Sequence, residues 1–122
     1  MPDLNTILAY VADVPKSVAL YSKLLGAAPV ESSPNFAMFV LPNGVRLGLW
    51  ATRDVQPRPS VPGGVEFGFV VESNAAVTAL TKDWQSAGLT LLQPPTQMDF
   101  GFTATLADLD GHRLRVFSPS PQ

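Results

Sequence analysis

Apolar positions along this chain run with a strand-like pattern from Leu4 to Val11, then recur at helical spacing at Val14, Val18, Tyr21 and Leu25. Strand side chains alternate faces every second residue, whereas a helix returns to one face every three or four. Asp13 offers an N-cap oxygen, Pro15 is tolerated in the first helical turn, and Gly26 supplies the stop. The pattern next predicts a short strand near Pro29–Ser32, a strong one over Phe36–Leu41 and another over Val45–Thr52. Between the last two, Asn43-Gly44 reads as a two-residue hairpin turn, since both residues tolerate positive φ.

The same series then repeats. Val65–Val71 reads as a strand and Ser73 as a helix cap. Val77, Leu80, Trp84 and Ala87 form one apolar helical stripe ended by Gly88. Strands near Thr90–Gln93 and Phe102–Leu106, the turn Asp110-Gly111 and the strand His112–Phe117 complete the series. The run from Asn43 through Trp50 is echoed by Asp110 through Phe117, and Thr6 through Asp13 by Glu66 through Ser73. The expectation is an α+β fold of two tandem βαβββ modules, forming a curved mixed sheet around a cavity with the helices on the outer face. Residues 1–122 would form one domain, with module one at 1–52, a linker at 53–64 and module two at 65–117. The linker is rich in proline and glycine and has no hydrophobic period. The segment Ser118 to Gln122 reads as a tail.

Alternation also sorts the strand residues by face. Ile7, Ala9 and Val11, with Phe67, Phe69 and Val71, should lie under the helices, joined by Leu47, Leu49, Leu114 and Val116. The other face would carry Thr6, Leu8, Tyr10, Arg46, Gly48 and Trp50 from the first copy. Glu66, Gly68, Val70, Arg113, Arg115 and Phe117 would follow from the second. Such a mixture of polar, charged, tiny and aromatic residues suits a lined cavity better than a packed core.

Composition narrows the function. A chain of 122 residues with 46% hydrophobic content can bury a real core. The net charge of −2 leaves no basic stripe to neutralise phosphates, which argues against nucleic acid. No run approaches the roughly 20 apolar residues of a membrane span, and the N-terminus lacks signal-peptide character. A cytoplasmic location is therefore expected. The absence of cysteine excludes disulfides and thiolate chemistry. With one histidine, no nucleophile elbow and no glycine-rich phosphate loop, the usual nucleophilic constellations are missing.

The paired βαβββ pattern, with the turn Asp108-Leu109-Asp110-Gly111-His112 near its end, resembles the vicinal oxygen chelate superfamily. That group includes glyoxalase I, fosfomycin-modifying enzymes, extradiol dioxygenases and bleomycin-resistance binding proteins. The resemblance implies a divalent metal held at four inward positions, which fall here on Thr6, Gly48, Glu66 and Arg115. Only Glu66 is a metal ligand by type, so no metal is expected. The segments Leu8 through Val14, Leu47-Gly48-Leu49-Trp50 and Met98 through Thr103 are most similar to the metal-free phenazine-antibiotic resistance binding proteins. That likeness implies a homodimer whose two sites each draw on both subunits.

Within this frame Trp50 is a candidate stacking platform, with Gly48 leaving room beside it; the plainer alternative is a Trp that caps a core or an interface. Arg115 is a candidate partner for an acidic or carbonyl substituent, and Glu66 for a hydrogen bond or for holding Arg115. The alternative is a salt bridge filling the vacated metal position. Asp99, Phe100 and Gly101 read as a loop bordering the ligand, Gly101 allowing close backbone approach and Phe100 forming a wall, or else as an ordinary turn. Tyr10, Phe36 and Met38 are candidate walls, with core packing the alternative. Trp84 belongs to the helical stripe, His112 to a turn, and Asp108 and Asp110 to fixing that turn. The resulting expectation is a cofactor-free binding protein that sequesters a planar aromatic antibiotic and so confers resistance. Alternatives are a glyoxalase-type lyase or isomerase, and a non-catalytic regulatory or interaction domain.

Overall fold

The computed structural model describes residues 4–60 and 65–120. Its contacts divide the chain into two compact units, Met1–Val61 and Pro62–Gln122. The first runs β1 (Thr6–Val11), α1 (Val14–Leu25), β2 (Glu31–Ser32), β3 (Phe36–Val40) and β4 (Arg46–Ala51). The second runs β5 (Glu66–Val70), α2 (Asn74–Ala87), β6 (Thr90–Met98), β7 (Gly101–Ala107) and β8 (Arg113–Pro119). Each is a βαβββ module with one four-stranded mixed sheet. The orders are β1-β4-β3-β2 and β5-β8-β7-β6, with the outer pairs β1–β4 and β5–β8 parallel.

The helices form where the caps say they should. Asp13 accepts from the Lys16 amide and Ser73 from the Ala76 amide, while Gly26 and Gly88 close the C-termini in left-handed conformations. Helix α1 packs on β3 and β4 and buries Val14, Leu20 and Tyr21. Ala37, Phe39, Leu47, Leu49 and Ala51 are buried on the alternating positions of those strands. Helix α2 packs on β6, β7 and β8, burying Val77 and Trp84, with Ala104, Leu106, Leu114 and Val116 buried in the strands. Trp84 meets Phe69 edge to face at 5.0 Å, as a core residue should.

Four local expectations change. Ser118 and Pro119, read as the start of a tail, belong to β8, because they pair with Phe102 and Gly101 of β7. Asn43-Gly44 is not a two-residue turn with two positive φ angles, because Gly44 alone is positive, at 87°. The Leu41 amide bonds to the Val45 carbonyl and the Gly44 amide to the Leu41 carbonyl, so the loop is Pro42-Asn43-Gly44. Proline at the first corner presets φ for an ordinary turn, and glycine then takes the left-handed position that rejoins the strands. The β7–β8 turn repeats this geometry from Asp108 to His112, with Gly111 also at 87°.

Strand β6 does not stop at Gln93. It continues through Pro94 and Pro95 to Met98, with register shifts on both sides of Gln93. An edge strand tolerates prolines because their missing amides cost no ladder bond on the outer side. Finally, the linker begins with a single 3-10 turn, Thr52–Asp54, and Val55 behind it is buried.

Candidate functional site

In each unit one sheet face is turned away from its helix, and the register decides which side chains share it. In the first unit β1, β4 and β3 bring Leu8 opposite Gly48, Tyr10 opposite Trp50, Phe36 opposite Trp50 and Met38 opposite Gly48. Trp50 lies between two rings, each 6.4 Å away centre to centre and near perpendicular, at 81° for Tyr10 and 84° for Phe36. These edge-to-face contacts from both flanking strands hold the indole in one orientation. Tyr10 and Leu8 remain 39% and 43% exposed, so this apolar face is open to solvent where it has most to gain from a cover. The room beside Gly48 is occupied from within the sheet. A Cβ there would stand 2.6 Å from Leu8 Cδ2 and 3.3 Å from the Phe36 ring.

The second unit places a polar network at the corresponding positions. Arg115 donates from Nε to Glu66 Oε1 at 2.6 Å and from Nη2 to Glu66 Oε2 at 3.3 Å. Its Nη1 donates to Gln93 Oε1 at 3.2 Å and to Thr103 Oγ1 at 3.1 Å. Gln93 Oε1 also accepts from Thr105 Oγ1, and Thr103 Oγ1 passes its own proton to the Val116 carbonyl. Thr103 and Thr105 are consequently buried although they lie on the face away from the helix. Phe100 covers the guanidinium at 5.7 Å from its centroid to Cζ and meets Phe117 edge to face at 5.9 Å.

Glu66, Arg115 and Phe100 are therefore brought together, as are Trp50, Tyr10, Phe36, Met38 and Gly48 in the other unit. Asp99 and Phe100 form the turn between β6 and β7, with Asp99 exposed. Gly101 opens β7 at φ 152° and faces the Ser118 carbonyl of β8 so closely that no Cβ fits between them. Its lack of a side chain serves strand pairing. Gln93 and Thr105 are not singled out by the sequence, and Thr103 and Phe117 enter it only as the end of a motif and as one member of the cavity-facing set. Phe117 was within reach, since it echoes Trp50, and Thr103 and Thr105 share the strand parity of Arg115 across the β7–β8 hairpin. Gln93 was hidden behind a bulged register that no alternation pattern reports.

The donors at the four inward positions do not fit a divalent cation. Thr6 is exposed and bonds Asn5, Gly48 has no side chain, and both oxygens of Glu66 already accept from the cation Arg115. Asp108, Asp110 and His112 carry ligand-type atoms within 4.8 Å of one another. The bonds that gather them are those of the turn: Asp108 Oδ1 accepts from the Asp110 and His112 amides, and Oδ2 pairs with His112 Nδ1 at 2.8 Å. That carboxylate raises the His112 pKa above its usual 6.5, against the opposing effect of burial. The ring stacks on Phe67. Both observations suit a histidine that ties a turn to the sheet.

Known proteins agree with this architecture. The chain is 45% identical to protein ATC0852 from Agrobacterium tumefaciens, whose solution NMR structure matches with a TM-score of 0.91 over 99% of this chain and all of that one. A glyoxalase-related enzyme from Fulvimarina pelagi shares the fold at 24% identity, with a TM-score of 0.87 over 97% of this chain and 88% of that one. The phenazine antibiotic resistance protein EhpR of Enterobacter agglomerans is 26% identical over 115 residues, 92% of this chain and 88% of that protein. The family model of the glyoxalase/bleomycin resistance protein/dioxygenase superfamily matches residues 3–116, and the chain belongs to that superfamily.

Proposed function

We propose that this superfamily member is a metal-free binding protein that sequesters a planar aromatic antibiotic of phenazine type and so confers resistance to it. The observation that carries the reading is Trp50, held between Tyr10 and Phe36 on a face where Leu8 and Tyr10 remain exposed. A preorganised ring platform loses little entropy when a flat ligand stacks on it. Apolar burial then supplies most of the affinity, at about 25 cal/mol per Å² before the cost of association. Arg115, with Glu66, orients a polar substituent, and Phe100 adds a second aromatic surface beside it. The likeness to EhpR supports the ligand class, since that protein is a phenazine resistance protein. Among the described residues no helix is long and apolar enough to cross a membrane, which is compatible with a cytoplasmic role. A homodimer completes the proposal, and sedimentation equilibrium tests it.

The binding test is a tryptophan-fluorescence titration of chelator-treated protein with phenazine-1-carboxamide, corrected for inner-filter absorption and run beside Trp50→Leu. Saturable quenching near one ligand per chain is expected, weakened about tenfold or more in the variant and unchanged by added divalent metal. Trp84, buried in the core of the second unit, remains as an internal reporter of folding. No saturable quenching in the unaltered protein would contradict the proposal.

A further inference from the structure

We infer that the Glu66–Arg115 patch selects a neutral ligand group that both donates and accepts a hydrogen bond, such as an amide, over a carboxylate. This rests on the aromatic-ligand reading proposed above and specifies the substituent that this patch takes. An arginine in a binding face ordinarily suggests an anionic ligand, but the charge of Arg115 is already spent. Nε and Nη2 each donate to one oxygen of Glu66, the fork geometry in which a guanidinium satisfies a carboxylate most fully. Nη1 is committed to Gln93 and Thr103, and those two are locked in turn by Thr105 and the Val116 carbonyl. Among the described residues, Nη2 has one bond for its two hydrogens, so a single N–H is left to offer.

Exposure points the same way. The Glu66 side chain is 38% exposed and that of Arg115 only 19%. An arriving group therefore meets the anion of the pair more readily than the cation. A ligand carboxylate accepting the remaining Nη2 hydrogen would stand beside the Glu66 carboxylate and be repelled by it. An amide can accept that hydrogen with its carbonyl while its N–H donates to a free lone pair of Glu66. Two further charges lie on neighbouring segments: Arg113, exposed and opposite Glu66 in the β5–β8 register, and Asp99, exposed in the β6–β7 turn and opposite in sign. Phe100 over the guanidinium sets the ring body of the ligand next to this polar group.

Isothermal titration calorimetry near neutral pH, with phenazine-1-carboxamide and with phenazine-1-carboxylate, tests this on the unaltered protein and on Glu66→Gln. The carboxamide is expected to bind the unaltered protein about tenfold tighter or more. In Glu66→Gln the guanidinium loses its counter-charge, and the preference should collapse or reverse. Gln93→Glu, which adds a second carboxylate against Arg115, should widen it and serves if Glu66→Gln fails to fold. Carboxylate binding as tight as carboxamide binding in the unaltered protein would overturn the inference and leave the sequestration reading intact. So would a preference that neither variant moves. If neither compound binds the unaltered protein, the sequestration reading falls and takes this inference with it.

Discussion

The two units lay different chemistry on one backbone plan. The register pairs Phe36 with Trp50 and Met38 with Gly48 in the first, and Thr103 with Phe117 and Thr105 with Arg115 in the second. In the parallel pairs Leu8 faces Gly48, whereas Gly68 faces Arg115. Each of those pairs joins one large residue to one glycine, but the glycine has changed strands. In the first unit the centre of the sheet is vacated so that apolar side chains close over it. In the second the centre projects a guanidinium, and the neighbouring strands supply its acceptors. A duplicated scaffold thus yields an apolar platform and a polar clamp by exchanging residues at matched positions, with no change in topology.

That comparison can be broken at its glycines. The largest effect is expected at Gly101, where φ is 152° and the Ser118 carbonyl occupies the space of a Cβ. Gly101→Ala should cost more than about 3 kcal/mol in urea unfolding. Gly44→Ala, at a positive φ but in open space, should cost about 1 kcal/mol. Gly48→Ala is expected to cost more than Gly44→Ala, about 1–2 kcal/mol, because its Cβ displaces Leu8 and presses on Phe36. Shortening Leu8 to alanine in the same chain should remove much of that penalty, a coupling that a double-mutant cycle reads directly. Gly68→Ala should do the opposite. The nearest atom to its Cβ is Phe117 Cε1 at an ordinary 3.6 Å, so the gain in backbone stiffness should stabilise by about 0.5 kcal/mol. Equal effects at Gly48 and Gly68 would mean that the two sheet centres are not the contrasting environments described.

The smallest effect concerns the turn. Asp108 raises the pKa of His112 in the folded state, so protonated His112 is favoured there relative to the unfolded chain. Its contribution to stability is complete below the unfolded value near 6.5 and is lost as pH rises through the higher folded value. The stability difference between the unaltered protein and His112→Phe, followed by urea unfolding against pH, should therefore shrink from mildly acid to mildly alkaline buffer. A difference that grows with pH would contradict the pairing.

Much of this is legible in the sequence alone. Caps, helical stripes and strand parity placed both helices and most strands, because each signal is local and each has one physical meaning. Parity also separated Leu49 and Val116, which are buried, from Trp50 and Arg115, which lie on the opposite face. What escaped depended on nonlocal facts. The prolines of β6 looked like a connection because nothing in the chain marks β6 as an edge strand. Gln93 could not be matched with Arg115 until the bulge around it was known. Gly48 and Gly101 read as space for a ligand, since a sequence shows a missing side chain and not the neighbour that fills its place.

The most direct test of the central claim is whether the Trp50 platform carries the ligand. Calorimetric titration of phenazine-1-carboxamide into the unaltered protein and into Trp50→Leu should give one ligand per chain. The substitution should lower affinity about tenfold or more while thermal unfolding confirms a folded protein. Saturable binding that the substitution does not weaken would place the ligand elsewhere and contradict the account.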